Sequence, residues 1–364
     1  MKKQMKHNQS VFLLLFGMSL FAGCNNLVGP GNHPIWTQEE LQSLEIRGVC
    51  ATGDVIIAAA YRPNTSYAYL FRSADNGATW AMVDSFGVDN HSPGLSLWIY
   101  PSFAFLVYGA DIFAGIGGGI NRGNIYLSTD NGITWNDKGI DWPETGENQA
   151  ENINSFCSVG QDIFAGTFHG IFLSTDHAAT WKAANTELVS PVEGVSSVGG
   201  DLFACTEGNG IFASADDGST WVRTDTVNYI FVSLTAIGDD IFAGAFQFYE
   251  KPSTGGVFRS TNNGATWFHS DSGLTNHELN TLIVSGANLY AGTNSGTFVS
   301  TNLGASWTFN SNNSASDSMA VLALAVSSSS LIEGTLHGVW VYPLSQLAGV
   351  KSETNRNQQQ RKGG

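Results

Sequence analysis

The octapeptide Ser-Thr-Asp-Asn-Gly-Ile-Thr-Trp at residues 128–135 occurs six times in this chain with small changes. The other copies are SADNGATW at 73–80, STDHAATW at 174–181, SADDGSTW at 214–221, STNNGATW at 260–267 and STNLGASW at 300–307. Successive copies begin 55, 46, 40, 46 and 40 residues apart. A period of about 40 to 50 residues, built from short strands, is typical of one four-stranded blade of a β-propeller. The repeat therefore predicts an all-β propeller.

A second phrase, typified by Asp-Ile-Phe-Ala-Gly, precedes each octapeptide and raises the number of repeat units to seven. Its copies begin at Gly53, Gly109, Gly160, Gly199, Gly238, Gly286 and Ser328. The seventh unit has no octapeptide after it. Trp36 lies 20 residues before Ile56, nearly the spacing of Trp267 to Leu289, which is 22. We therefore expect a seven-bladed β-propeller of four-stranded blades in which the N-terminal strand around Trp36 closes the last blade.

The chemistry of the octapeptide indicates a tight turn between the third and fourth strands of a blade. Its Ser and Asp oxygens can accept backbone N–H bonds, its Gly permits a positive φ, and its Trp can cover the hairpin. An amide can make the same local bonds but is a poor substitute for a carboxylate in catalysis or strong metal binding. We therefore expect a structural role, with no metal or other cofactor, for Asp75, Trp80, Asp130, Trp135, Asp176, Trp181, Asp216, Trp221, Asn262, Trp267, Asn302 and Trp307.

The octapeptide resembles the Asp-box, or BNR repeat, S-x-D-x-G-x-T-W, which occurs in sialidases, sortilin-type receptors, some xyloglucanases and a photosystem II assembly factor family. Seven units resemble the sortilin-type and assembly-factor-like propellers, and more distantly the sialidases. Tyr61-Arg62-Pro63 is similar to the sialidase Tyr-Arg-Ile-Pro motif but lacks the Ile, and only Arg122 and Arg223 remain as partners for a three-arginine clamp. Sialidase propellers have six blades, and the catalytic positions do not carry over beyond Arg62, so we expect a propeller without catalytic activity. The alternative is a glycoside hydrolase, either exo-sialidase-like or active on glucans.

The N-terminus has the pattern of a signal peptide. Lys2, Lys3 and Lys6 precede an apolar run at 11–22, and Ala22-Gly23-Cys24 resembles the lipobox of bacterial lipoproteins. We expect a signal peptide at 1–23, acylation of Cys24, a linker at 24–33, the propeller at 34–344 and a disordered polar tail at 345–364. An ordinary secretory signal is the alternative. Asn25 and Asn26 follow the cysteine, with no Asp to indicate retention in the inner membrane, so we expect a lipid-anchored protein of the outer membrane rather than a periplasmic or secreted one.

Charge and cysteine content limit the partners of the chain. Sixteen basic and thirty-one acidic residues give a formal net charge of −15, which excludes nucleic acid as an expected partner because phosphate binding needs a basic surface. We expect membrane association through the lipid anchor alone, and a monomer. Cys50, Cys157 and Cys205 lie in apolar runs, and their odd number indicates buried thiols rather than a disulfide framework.

Strand order predicts which face of the ring binds a partner. The turns between first and second strands share one face with the Asp-boxes, here called the Asp-box face. Asp residues recur in these turns, where a tight turn selects them; a metal collar is the alternative. The opposite, loop face carries the turns between second and third strands and the crossings between blades, which vary in length.

The long loops of the loop face contain aromatic rings beside charged groups, which can stack on a sugar or hold a peptide. The candidate binding residues are Arg62, Tyr67, Trp98, Arg122, Trp142 and Tyr249, although any one ring can instead cap the core. We expect a cell-envelope lipoprotein that acts as a non-catalytic binding or scaffold propeller for an envelope protein or glycan.

Overall fold

The computed structural model describes the chain in segments. They are the strand at 35–36 and residues 41–62, 65, 67–87, 102–118, 121–139, 152–184, 188, 190–224, 229–246, 255–310 and 319–347. For residues 35, 36, 118, 121 and 122 only the backbone is described. Within these segments the chain forms 28 β-strands and one short 3-10 helix, arranged in seven antiparallel sheets.

The first four sheets follow one another along the chain. The first sheet contains β1 (Ile35–Trp36), β2 (Glu45–Thr52), β3 (Val55–Tyr61), β4 (Tyr67–Ser73) and β5 (Trp80–Gly87). The second contains β6 (Ser102–Tyr108), β7 (Asp111–Gly118), β8 (Asn121–Ser128) and β9 (Asn136–Asp137). The third contains β10 (Ile153–Val159), β11 (Asp162–Thr167), β12 (Gly170–Ser174) and β13 (Lys182–Ala183). The fourth contains β14 (Val192–Val198), β15 (Asp201–Thr206), β16 (Gly210–Ser214) and β17 (Val222–Arg223).

The remaining three sheets complete the ring. The fifth contains β18 (Ile230–Ile237), β19 (Asp240–Phe246), β20 (Gly256–Ser260) and β21 (Phe268–His269). The sixth contains β22 (Leu279–Ser285), β23 (Asn288–Thr293), β24 (Gly296–Ser300) and β25 (Thr308–Phe309). The seventh contains β26 (Val321–Val326), β27 (Ser330–Thr335) and β28 (Gly338–Pro343), after which the helix η1 (Leu344–Gln346) follows.

The first strands of the seven sheets form the inner wall of the ring. Each of β2, β6, β10, β14, β18 and β22 contacts the first strand of the next sheet, and β26 contacts β2. The predicted seven-bladed all-β propeller is therefore confirmed, and the seven copies of the Asp-Ile-Phe-Ala-Gly phrase are the seven second strands.

The hydrophobic core is divided into seven layers, one between each pair of neighbouring blades. The second strands supply much of it because both of their faces are covered. In β11, for example, Phe164 packs toward the fourth blade while Ala165 packs toward the second. A strand buried on both faces needs a continuous apolar run, which explains the composition of the repeated phrase.

The N-terminal strand does not close the last blade, so that part of the prediction is wrong. β1 pairs antiparallel with β5, with Trp36 opposite Trp80, and forms a fifth strand at the outer edge of the first blade. In the described residues the seventh sheet has three strands. The physical reason lies in the outer edges: β5 has eight residues, whereas β28, the outer strand of the seventh sheet, has six and ends at Pro343, which has no N–H to donate.

The first and seventh blades do not share a strand. They are joined by packing and by hydrogen bonds. Trp80 and Ile56 of the first blade share one core cluster with Ile332 and Val339 of the seventh. Asn76 Nδ2 donates a hydrogen bond to Ser330 Oγ at 2.8 Å. Leu347 is 4% exposed and packs between the sixth and seventh blades, three residues beyond the expected end of the propeller.

Candidate functional site

Each Asp-box folds around its Ser and Asp side chains, as the first copy illustrates. Ser73 Oγ accepts a hydrogen bond from Gly77 N at 2.8 Å and donates one to Asp75 Oδ1 at 2.8 Å. Asp75 also accepts bonds from Thr79 N at 2.8 Å and Thr79 Oγ1 at 2.6 Å. The carboxylate is therefore engaged by the turn that contains it.

The boxes that carry Asn in place of Asp keep the same turn. Asn262 Oδ1 accepts bonds from Ser260 Oγ and Thr266 N, while its Nδ2 donates to Thr266 Oγ1 at 2.9 Å. Asn302 forms the same three contacts with Ser300 and Ser306. Only the direction of the bond with the hydroxyl group changes, because an amide nitrogen donates where a carboxylate accepts. The turn therefore does not require a negative charge.

The hydrogen bonds of the turn stabilise the ionised form of the box carboxylates. The bond from the Thr180 hydroxyl, followed by that from the Thr180 backbone, lowers the pKa of Asp176 to about 2. The pKa of Asp216 is lowered chiefly by the backbone N–H and hydroxyl of Thr220. For Asp75 and Asp130, partial burial acts to raise the pKa, but the bonds from Thr, Ser and backbone groups outweigh it and lower the value.

The fourth residue of the box connects neighbouring blades across the Asp-box face. His177 Nε2 lies 2.8 Å from Asp111 Oδ2 of the second blade, and Asn263 Nδ2 donates to Asp201 Oδ2 of the fourth blade at 2.5 Å. Both carboxylates belong to turns between first and second strands, so these turns and the boxes lie on one face, as strand order predicts. The acidic turn residues there take part in joining the blades.

Two arginines that directly precede their boxes also join blades. Arg72 Nε donates to the carbonyl oxygen of Asn131 in the second box at 2.7 Å. Arg259 Nη1 donates to the carbonyl oxygen of Leu303 at 3.1 Å, and its Nη2 contacts Asp240 Oδ2 at 2.6 Å. Both guanidinium groups therefore form hydrogen bonds on the Asp-box face.

The loop face exposes apolar side chains in three of its turns between second and third strands. Tyr67 at the start of β4 is 54% exposed, and Phe168 and Leu336 are each 38% exposed. Phe168 and Leu336 occupy equivalent positions, before His169 and His337, in the third and seventh blades. Arg62 lies beside Tyr67 and is exposed, and its carbonyl oxygen accepts a bond from Thr65 N at 3.2 Å.

The predicted binding residues are only partly placed by the structure. Arg62 and Tyr67 lie together at the loop-face end of the first blade. Arg122 lies at the beginning of β8, where only the backbone is described. Trp98, Trp142, Tyr249 and the lipidation residue Cys24 lie outside the described residues.

A β-bulge recurs near the loop-face end of six first strands, and the sequence analysis did not anticipate it. In each of these strands the register with the second strand shifts by one residue. The extra residues are Arg47, Asn154, Glu193, Val232, Asn280 and Leu322. Because the first strands line the inside of the ring, the bulged residues lie toward its loop-face end.

Glu193, the bulge residue of the fourth blade, is close enough to Glu207 to feel its charge. Burial, and next the charge of Glu207 in the turn after β15, raise the pKa of Glu193 to about 7. A carboxyl group that titrates near neutrality beside a second carboxylate is the kind of pair that glycoside hydrolases use. The repeat could have indicated this pair, because Glu193 occupies the position of Asn154 and Asn280.

The three described cysteines are free and buried within the blades. Burial raises the pKa values of Cys50 and Cys157 to about 12, so their thiols remain protonated and unreactive at neutral pH. Within the described segments, no group of three or more His, Cys, Asp or Glu side chains is arranged to hold a metal ion. The same segments contain no helix with the length and apolar character needed to cross a bilayer.

The fold and its six turns define an Asp-box β-propeller. Residues 126–137, which include the second box, match the family model described as BNR/Asp-box repeat. No curated protein matches the chain in sequence. The chain is similar in fold to YCF48 from Cyanidioschyzon merolae, with 12% identity and a TM-score of 0.57 over 84% of this chain and 97% of that one.

Two further solved structures share the fold. YCF48 bound to D1 peptide has 13% identity and a TM-score of 0.57, covering 85% of this chain and 95% of that one. The GH74 xyloglucanase from Xanthomonas campestris has 15% identity and a TM-score of 0.56 over 82% of this chain, which spans 52% of the enzyme. These neighbours include a binding protein and a hydrolase, so the likeness shows the propeller architecture.

Proposed function

We propose that this chain is a cell-envelope lipoprotein whose propeller binds an extended segment of a partner protein on the loop face, without catalysis. The observation that carries the proposal is the exposure of Tyr67, Phe168 and Leu336 in loop-face turns. The opposite face is occupied by contacts that join the blades. Exposed aromatic and aliphatic side chains on a rigid scaffold are favourable contact points for a partner. YCF48, a propeller of similar fold, is known with a bound D1 peptide.

The positions of the arginines favour binding over sialidase chemistry. Arg72 and Arg259 bond to box carbonyls on the Asp-box face, whereas Arg62 lies at the loop face. Tyr61, the tyrosine of the sialidase-like phrase, is 2% exposed within a core cluster and is inaccessible to a substrate. A sialidase needs several arginines and a tyrosine that converge on one substrate.

A binding comparison tests the proposal. Purified wild-type protein and the variant Tyr67→Ser/Phe168→Ser/Leu336→Ser are used to retrieve partners from native envelope extract. The matched control is Ile133→Ser/Val222→Ser, which removes apolar side chains that are 40% and 68% exposed elsewhere on the ring. We expect the loop-face variant to lose a partner that the control retains, with similar thermal stability. Equal retrieval by both variants would exclude this face; retention of glycan rather than protein would identify the other class of partner.

Glycoside hydrolysis is the second candidate because of Glu193 and Glu207. A carboxyl group that is half protonated near pH 7, as Glu193 is, can donate a proton to a glycosidic oxygen. Turnover of a fluorogenic sialoside or a β-glucan oligosaccharide that is lost in Glu193→Gln would establish this activity. It would overturn the non-catalytic proposal.

The envelope location is proposed from the N-terminal sequence. Metabolic labelling with a fatty-acid analogue should mark the wild-type protein, and Cys24→Ala should abolish the label and release the protein from the membrane fraction. Unchanged labelling in Cys24→Ala would refute the lipid anchor. A protein that sediments with the inner rather than the outer membrane would refute the expected membrane.

A further inference from the structure

The bulge residue of the first strand forms a contact between blades in two places. Asn154 Nδ2 of the third blade donates a hydrogen bond to the carbonyl oxygen of Val192 in the fourth blade at 3.1 Å. Asn280 Nδ2 of the sixth blade donates to the carbonyl oxygen of Val321 in the seventh blade, also at 3.1 Å. Each acceptor is the residue directly before the bulge of the next blade.

Glu193 occupies the corresponding bulge of the fourth blade. The residue before the bulge in the fifth blade is Phe231, which is fully buried. The two first strands pack closely here, because a Cβ on Gly194 would lie 3.0 Å from the backbone nitrogen of Leu234. A carbonyl oxygen accepts but does not donate, so an ionised carboxylate at this position cannot reproduce the asparagine contact, whereas a protonated carboxyl group can.

We propose that Glu193 is a protonation-dependent contact between the fourth and fifth blades, in which its carboxyl O–H donates to the carbonyl oxygen of Phe231 and the bond is lost when Glu193 ionises. The contact lies at the loop-face end of β14. It does not depend on the proposed binding function, since it is a property of the ring itself.

The charged surroundings of Glu193 support the protonated form. Burial and Glu207 both raise its pKa, to about 7. Burial, and next the charge of Glu193, raise the pKa of the Cys205 thiol on β15, so this thiol lies near Glu193. β18 contains no ionisable side chain, the ionisable group of β10 is Cys157, and Asp162 of β11 begins that strand at the opposite face. None of these strands presents a cation that would stabilise an ionised Glu193.

The direction of the pH effect follows from the raised pKa. The folded protein holds this proton up to a higher pH than the unfolded chain, so unfolding releases it between the two pKa values. The stabilisation from the contact is complete below the ordinary glutamate pKa of 4.5 and is lost as the pH rises toward about 7. Above that pH the stabilisation is absent.

Urea unfolding of the full chain at pH 5 and pH 8.5 tests the proposal, with Glu193→Gln as the key variant. Gln retains an N–H donor at both pH values, as Asn154 and Asn280 do. We expect the unfolding equilibrium constant of the wild type to increase with pH, relative to Glu193→Gln, by roughly ten- to a hundredfold, since each unit of pKa difference is a factor of ten. Identical pH profiles for the two proteins would overturn the proposal.

Two further variants separate the hydrogen bond from charge and from misfolding. Glu193→Ala lacks the donor and should be less stable than Glu193→Gln at both pH values; equal stability would refute the bond to Phe231. Glu207→Gln removes the neighbouring charge and should lower the pH at which Glu193 titrates, measured from its side-chain carbonyl ¹³C shift. A Glu193 resonance that titrates near pH 4.5 in the wild type would overturn the proposal without reference to stability.

Discussion

Arg72 Nε donates a 2.7 Å hydrogen bond to the main-chain carbonyl of Asn131, from the first blade to the box of the second. Arg259 makes the same connection to Leu303, from the fifth blade to the sixth. In both cases the acceptor is the fourth residue of an Asp-box and has a positive φ, 56° in each. The left-handed backbone of the box therefore presents a carbonyl group to the preceding blade, and the Asp-box serves as a joint of the ring as well as a turn.

The first prediction concerns the charge of the box aspartate. Asp75→Asn should change the free energy of unfolding by less than about 0.5 kcal/mol, because Asn262 and Asn302 already form this turn. Asp75→Ala should cost about 1–2 kcal/mol, since it leaves Thr79 N without its side-chain acceptor. Urea denaturation of both variants measures the difference. An Asn variant as unstable as the Ala variant would mean that the carboxylate has a role beyond the turn.

The second prediction concerns the box glycine. Gly132 has a φ of 79°, and an added Cβ would clash with Ile57 Cδ1 of the first blade. Gly53 has a φ of 59° with open space around it, so it provides a control for backbone strain alone. Both Gly→Ala variants should lose about 1–2 kcal/mol from the left-handed backbone, and Gly132→Ala about 1–3 kcal/mol more from overpacking. Equal losses would show that the box does not pack closely on the preceding blade.

The third prediction compares two box tryptophans. Trp221 is 2% exposed, and its Nε1 donates to the carbonyl oxygens of Ala184 and Gly218 at 3.0 Å each. Trp267 is only partly buried. Trp221→Ala should therefore cost about 3–5 kcal/mol, and Trp267→Ala clearly less. Thermal unfolding of the two variants compares their losses of stability. A larger loss for Trp267→Ala than for Trp221→Ala would contradict the deeper burial of Trp221.

The fourth prediction concerns acid unfolding. The box aspartates have pKa values lowered from 3.8, so the stability they provide is fully present above pH 3.8 and is lost as the pH falls below it, for Asp176 toward about pH 2. Replacing Asp75, Asp130, Asp176 and Asp216 together by Asn removes these titrations but keeps the turns. Tryptophan fluorescence should show that the variant unfolds at a lower pH than the wild type. An unchanged acid transition would assign acid unfolding to other carboxylates.

The sequence predicts the repeated architecture well because the turn pattern recurs from blade to blade. The boxes that end at Trp80 and Trp221 carry the turn chemistry in local order, and local hydrogen bonds, such as those from the two Trp Nε1 atoms to the carbonyl oxygens of Gly77 and Gly218, determine their shape. The place of Trp36 is not predictable in the same way. Its spacing fits a fourth strand, but the pairing depends on which outer edge is long and free, and that edge is β5.

The candidate sites are predicted less well than the fold. Arg72 and Arg259 lie at the opposite end of their blades from Arg62. The carbonyl groups that they bond to belong to the next blade, so the sequence around each arginine does not reveal them. The surroundings of Glu193 depend on a β-bulge, which forms where the first and second strands of the fourth blade pair. Such contacts between distant residues leave no local pattern, although alignment of the repeats places Glu193 beside Asn154 and Asn280.

Site-specific photo-crosslinking in intact cells tests most directly the claim that the loop face binds a partner and the Asp-box face joins the ring. A benzophenone amino acid replaces Phe168 or Leu336 on the loop face, and Ile133 on the Asp-box face, where the native side chains are 38%, 38% and 40% exposed. We predict that positions 168 and 336 capture the same envelope protein and that position 133 does not. Capture of that protein at position 133, with none at 168 and 336, would contradict the account.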